Sequence, residues 1–121
     1  MATLTAKLTL TSSDATSDAL NLSVSDTLTA SNDVLQKRLA TSTTAAVFLA
    51  ASGYTLSYIY LKNLSTDTDE KINIRSGATG SADIITLGAG EFTFFPWASD
   101  EDLVYDAASG TPVLEIMLWE V

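Results

Sequence analysis

A chain of 121 residues that is 46% hydrophobic is long enough for one domain with a real core and is not composed like a disordered segment. It has no cysteine and no histidine, which excludes disulfides, thiolate or imidazole metal sites, and Ser-His-Asp or Cys-His catalysis. The net charge is −9, with only six Lys and Arg, so the surface repels phosphate, and nucleic acid and anionic membranes are poor partners.

Along the chain the dominant period is two. Leu4, Ala6, Leu8 and Leu10 alternate with Thr3, Thr5, Lys7, Thr9 and Thr11, without the charged start and apolar run of a signal peptide. Leu20, Leu22 and Val24 alternate with Asn21, Ser23 and Ser25. Side chains two apart share one face of a strand, so each run predicts one buried and one wet face. The polar stretch Ser12 to Asp18 between them is turn-forming.

Val34 to Leu39 and Ala45 to Ala50 are the next candidates. Asn32-Asp33 could cap a short helical turn, which leaves a brief helix over Val34 to Ala40 as an alternative to a strand. From Leu39 to Leu61 there is no charged residue, but Thr41 to Thr44, Ser52, Gly53, Thr55 and Ser57 interrupt the run. It reads as buried strands and not as a membrane span. Tyr54 to Leu61 is a strand with Tyr54, Leu56, Tyr58 and Tyr60 on one face and Thr55, Ser57, Ile59 and Leu61 on the other.

A loop from Ser65 to Glu70 leads into Lys71 to Arg75. Ile84 to Leu87 and Glu91 to Phe95 flank Gly88-Ala89-Gly90, a tight hairpin or corner in which both glycines would permit positive φ. Leu103 to Tyr105 and Val113 to Val121 close the chain. Eight or nine short strands at this spacing predict an all-β fold: a single β-sandwich over residues 1–121, with the jelly roll among its forms.

The candidate sites are few. Asp67, Asp69 and Glu70 form the one metal-like loop, with Asp100, Glu101 and Asp102 a second acidic loop, but the calcium-loop pattern is missing and both read as solvated turns. Glu91, Glu115 and Glu120 lie on predicted strands, and nothing selects a pair for acid–base work. The sequence therefore predicts no catalytic residue, no cofactor and no metal. Aromatic residues crowd the last third, as core, subunit contact or sugar-stacking platform. The C-terminal strand is apolar on both faces, Val113, Met117 and Trp119 on one and Leu114, Ile116 and Leu118 on the other. Such a strand lies between packed layers or under a neighbouring subunit. Phe94, Phe95, Trp97, Val113, Met117 and Trp119 are the predicted interface residues.

Residues 54–121 carry a resemblance. Tyr58-Ile-Tyr-Leu-Lys-Asn63 is followed by Lys71-Ile-Asn-Ile74, then by Leu87-Gly-Ala-Gly-Glu-Phe-Thr-Phe-Phe-Pro-Trp97, and then by Ser109-Gly-Thr-Pro-Val-Leu-Glu-Ile-Met-Leu-Trp-Glu120. This order resembles small β-sandwich virion proteins of tailed phages, especially those of marine and cyanobacterial hosts. The resemblance covers about half the chain and implies a non-enzymatic structural protein of the particle. The expected role is decoration and cementing on the capsid exterior. The implied partner is the major capsid protein, and the implied state is a homo-oligomer, a trimer before other symmetries. A receptor- or carbohydrate-binding module on a fibre is the rival expectation, which an exposed ring cluster around Trp97 would favour. A connector or tail component is the third.

Overall fold

The computed structural model describes residues 2–31, 34–50, 56–77, 81–98 and 100–121, of which 34–36 and 40 through their backbone alone. Every regular element among them is a strand. The helical alternative over Val34 to Ala40 is overturned: these residues form a strand that pairs with the C-terminal one. Among the described residues no helix is long and apolar enough to cross a membrane.

The chain divides into two compact units, Met1–Asn32 and Asp33–Val121. The first is a hairpin of β1 (Ala2–Ser12) and β2 (Leu20–Ala30), paired antiparallel along all eleven residues from Ala2↔Ala30 to Ser12↔Leu20. Register places Leu4 opposite Leu28, Leu8 opposite Val24 and Leu10 opposite Leu22. All the leucines therefore share one face, and Thr, Ser, Asn and Lys7 share the other. Period two predicts a buried and a wet face here, yet Leu8, Leu10, Leu22 and Val24 are 39–50% exposed. Two strands give one layer, and a layer has no partner of its own to cover its apolar side.

The second unit holds β3 (Val34–Ala40), β4 (Ala46–Leu49), β5 (Ser57–Asn63), β6 (Ile72–Ser76), β7 (Ile85–Leu87), β8 (Phe92–Trp97), β9 (Leu103–Ala107) and β10 (Val113–Glu120). One sheet has the order β3-β10-β5-β8 and the other β4-β9-β6-β7, every pair antiparallel. Numbered within this unit, the sheets run 1-8-3-6 and 2-7-4-5, which is the jelly roll. The sandwich thus occupies the second unit, whereas the sequence reading spread it over residues 1–121.

Alternation decides what goes inside. Ser57, Ile59, Leu61 and Asn63 are buried along β5, and Leu114, Ile116 and Leu118 along β10. The apolar ones meet Ile72, Ile74, Leu87 and Leu103 of the other sheet in one core. The corner at Gly88-Ala89-Gly90 carries the chain from β7 in one sheet to β8 in the other, so it is a sheet-switching corner and not a hairpin. Gly90 has φ of +76°; Gly88 is not in the left-handed region, and its N–H is held by Glu91 Oε2 at 2.6 Å. Asn63 ties this corner down. Its buried Nδ2 donates to the Leu87 carbonyl (3.1 Å) and the Glu70 carbonyl (2.9 Å), and its Oδ1 accepts from the Ser65 amide (3.0 Å). Pro96 sits in β8, an edge strand of its sheet, where a missing donor costs no ladder bond.

Candidate functional site: an aromatic outer sheet face

The outward side chains of the two sheets differ in kind. On β6, β7 and β9 they include Asn73, Arg75, Thr86 and Asp106, and the same face carries the buried Val104 and, on β4, the exposed Val47. Arg75 bridges Asp83 (2.9 Å) and Asp106, Asn73 Nδ2 donates to Asp106 Oδ1 (3.1 Å), and Thr86 Oγ1 donates to Asn73 Oδ1 (3.1 Å). Polar groups that satisfy one another in this way suit a face that meets water.

The outer face of β3-β10-β5-β8 is largely aromatic and apolar, with its charges gathered in one row. Register places Trp119, Tyr58 and Pro96 in one row across β10, β5 and β8, and Met117, Tyr60 and Phe94 in the next. Glu115, Lys62 and Phe92 form the third, with Arg38 of β3 beside Glu115. Phe92 is 62% and Phe94 38% exposed. Tyr58 and Phe94 stack with ring centres 6.2 Å apart and planes 12° from parallel. The Glu115 carboxylate on this face is contained: Arg38 Nη2 lies 3.1 Å from Glu115 Oε2, and the Tyr60 hydroxyl donates to Glu115 Oε1 at 3.5 Å. Burial pushes the Tyr60 hydroxyl above its ordinary pKa of 10.0, and the neighbouring Glu115 charge and hydrogen bond push the same way. Each disfavours a phenolate there.

The structure separates the six predicted interface residues. Phe94, Val113, Met117 and Trp119 stand on this outer face. Phe95 and Trp97 point the other way, packed edge-to-face with centres 6.3 Å apart against the core. They are core groups, because alternation along β8 turns them inward. The Phe95 and Trp97 rings are half-buried against the core and are not part of the exposed outer face. Tyr58, Tyr60 and Phe92 belong to the face and were missed; Tyr58 and Tyr60 had been placed on one strand face, but only register with β8 and β10 joins them to Phe94 and Trp119. The β10 strand is central in its sheet, so Leu114, Ile116 and Leu118 are core and the second apolar set faces outward.

The acidic loop is built internally. Asp67 Oδ1 accepts from the Asp69 amide (3.0 Å), and Glu70 receives Ser65 Oγ (2.5 Å) and the Thr111 amide (3.3 Å). Among the described residues no three acidic groups converge on a position that could hold a metal ion.

No protein-family model and no curated protein matches the chain. One solved structure does, a protein of Bacillus endospore appendages, described as a family of disulfide-linked pili. The TM-score is 0.55 at 17% identity, over 73% of this chain and 83% of that one. The likeness is one of fold. The disulfide linkage of those pili has no counterpart in this chain, which has no cysteine.

Proposed function

We propose that the chain is a non-enzymatic structural subunit of a tailed-phage virion, seated on the capsid exterior, where it decorates and cements the shell as a homo-oligomer, a trimer at three-fold positions. The observation that carries this reading is the aromatic outer face of β3-β10-β5-β8, with Phe92 and Phe94 exposed, where the outer face of the other sheet holds the linked polar cluster of Arg75, Asp83, Asp106 and Asn73. Contiguous apolar faces of this kind mark interaction surfaces, and aromatic residues and methionine are the types enriched at them. The jelly roll is a recurrent capsid architecture, and the sequence resemblance over residues 54–121 supplies the phage particle. The pilus protein of like fold is itself a component of a larger appendage, which is compatible with a building-block role.

Immunogold labelling of intact particles from host lysates, with antibodies raised against this chain, tests the location. Label over the icosahedral head is expected. Label confined to tails, to fibres or to structures that are not particles would overturn it.

A further inference from the structure

The chain carries two partly exposed apolar faces of matching pattern, with Leu8, Leu10, Leu22 and Val24 open on one and Phe92 and Phe94 on the other. One belongs to the hairpin: Leu4/Leu28, Ala6/Asp26, Leu8/Val24 and Leu10/Leu22 in successive rows. The other is the aromatic face, with rows Glu115/Lys62/Phe92, Met117/Tyr60/Phe94 and Trp119/Tyr58/Pro96. Each contains one charge that stands out. Asp26 is the lone ion on the hairpin's apolar face, where its Oδ1 accepts only the adjacent Thr27 amide at 2.8 Å. On the aromatic face Glu115 is held by Arg38, and among the described residues no acid lies within ion-pair distance of Lys62. That row therefore carries two cations and one anion.

The patterns coincide when Asp26 is set over Lys62. Leu8 and Val24 then fall on the Met117/Tyr60/Phe94 row, and Leu10 and Leu22 on the Trp119/Tyr58/Pro96 row. Rows two residues apart repeat at about 6.6–6.8 Å in both sheets, so the register carries from one row to the next. We infer that the hairpin of one copy packs, leucine face down, on the aromatic sheet face of a second copy, with Asp26 paired to Lys62. Aliphatic side chains meet rings, and a marginal two-stranded sheet gains the second layer it lacks. The contact joins unlike surfaces, so it runs head to tail. It closes into a ring, a trimer included, where the rotation allows, and otherwise continues as a filament. The inference deepens the structural-subunit reading by naming a contact between copies, but it needs no capsid, so purified protein can refute it whatever the particle labelling gives.

The test uses the full chain in analytical ultracentrifugation. Wild type is expected to self-associate, while Asp26→Lys and Lys62→Glu are each expected to associate about tenfold more weakly or less, because like charges then face each other. An equimolar mixture of the two variants should recover association, fully in a filament or an even-numbered ring, where the variants alternate, and at two contacts of three in a trimer, and the double variant should recover it alone. The milder Asp26→Asn and Lys62→Gln should weaken association without abolishing it. Circular dichroism of each variant confirms the fold. A wild type that stays monomeric, a single variant that associates like wild type, or folded variants that do not rescue each other on mixing would overturn the inference.

Discussion

Tyr58 and Phe94 stack across β5 and β8, 6.2 Å apart and nearly parallel, on the side of the sheet turned away from the core. Phe94 is 38% exposed, so the pair spends ring area on a surface where a solvated strand would carry Thr or Lys. A double-mutant cycle of Tyr58→Ala and Phe94→Ala should give a coupling of about 0.5–1 kcal/mol for the monomer in urea denaturation, the lower part of the range for aromatic pairs. The same substitutions should weaken self-association much more than stability. A coupling near zero together with unchanged association would mean that the rings serve neither.

Asn63 is fully buried and spends both amide protons and its carbonyl within the fold. Asn63→Leu, close in volume, removes those bonds and leaves the Leu87 and Glu70 carbonyls and the Ser65 amide without this partner. The expected loss is about 2–4 kcal/mol, because stranded buried polar groups carry their full desolvation cost. Chemical denaturation measures it. A loss below about 1 kcal/mol would mean that water replaces the side chain.

Much of this was legible in the sequence, and the limit has a physical cause. Period two identifies strands because alternate side chains face opposite ways. That is why Leu4–Leu10, Leu20–Val24 and the C-terminal strand could be read, and why an all-β sandwich followed. Alternation says which residues share a face, but not which face the core takes. Phe94 and Phe95 are adjacent, and only the packing of β8 against β5 turns Phe95 inward and Phe94 out. Cross-strand neighbours depend on the strand order, which joins β10 to β3 and β5 over long separations. Asn63 lies just past the Tyr54 to Leu61 run, and nothing local marks it as the tie for a corner 24 residues on. The leucine face of the hairpin was visible, but an apolar face reads as buried whether its cover is its own chain or another molecule.

The Tyr60 hydroxyl has its pKa raised above 10.0, first by burial and then by Glu115. A group that holds its proton more tightly in the folded state contributes stability that is fully present below the unfolded pKa of about 10 and is lost as pH rises through the higher folded value. Wild type should therefore lose stability more steeply above pH 10 than Tyr60→Phe does, with little difference between pH 6 and 9. In ultraviolet titration the absorbance change lost in Tyr60→Phe should fall above pH 10, and Glu115→Gln should bring it part of the way back. Parallel alkaline limbs for wild type and Tyr60→Phe would refute the assignment.

Leu118 and Trp119 are neighbours in β10 with opposite duties. Leu118 is 5% exposed and belongs to the core cluster; Trp119 stands half-buried on the outer face, in a row with Tyr58 and Pro96. Leu118→Ala removes buried methyl groups and leaves a cavity, so about 2–4 kcal/mol of monomer stability should go. Trp119→Ala opens no enclosed cavity, and its effect on the monomer should be clearly smaller than that of Leu118→Ala. The ring is, however, among the largest groups the face can offer to a partner, and tryptophan is enriched among residues that dominate binding energy. Self-association should therefore fall by tenfold or more for Trp119→Ala, a change of about 1.4 kcal/mol at least. Leu118→Ala, at temperatures where it stays folded, should associate nearly as wild type. Thermal melts and sedimentation of the two variants separate the duties. If Trp119→Ala were the more destabilising of the two, or left association untouched, the outer face of β10 would be part of the fold's own packing and not a surface for assembly.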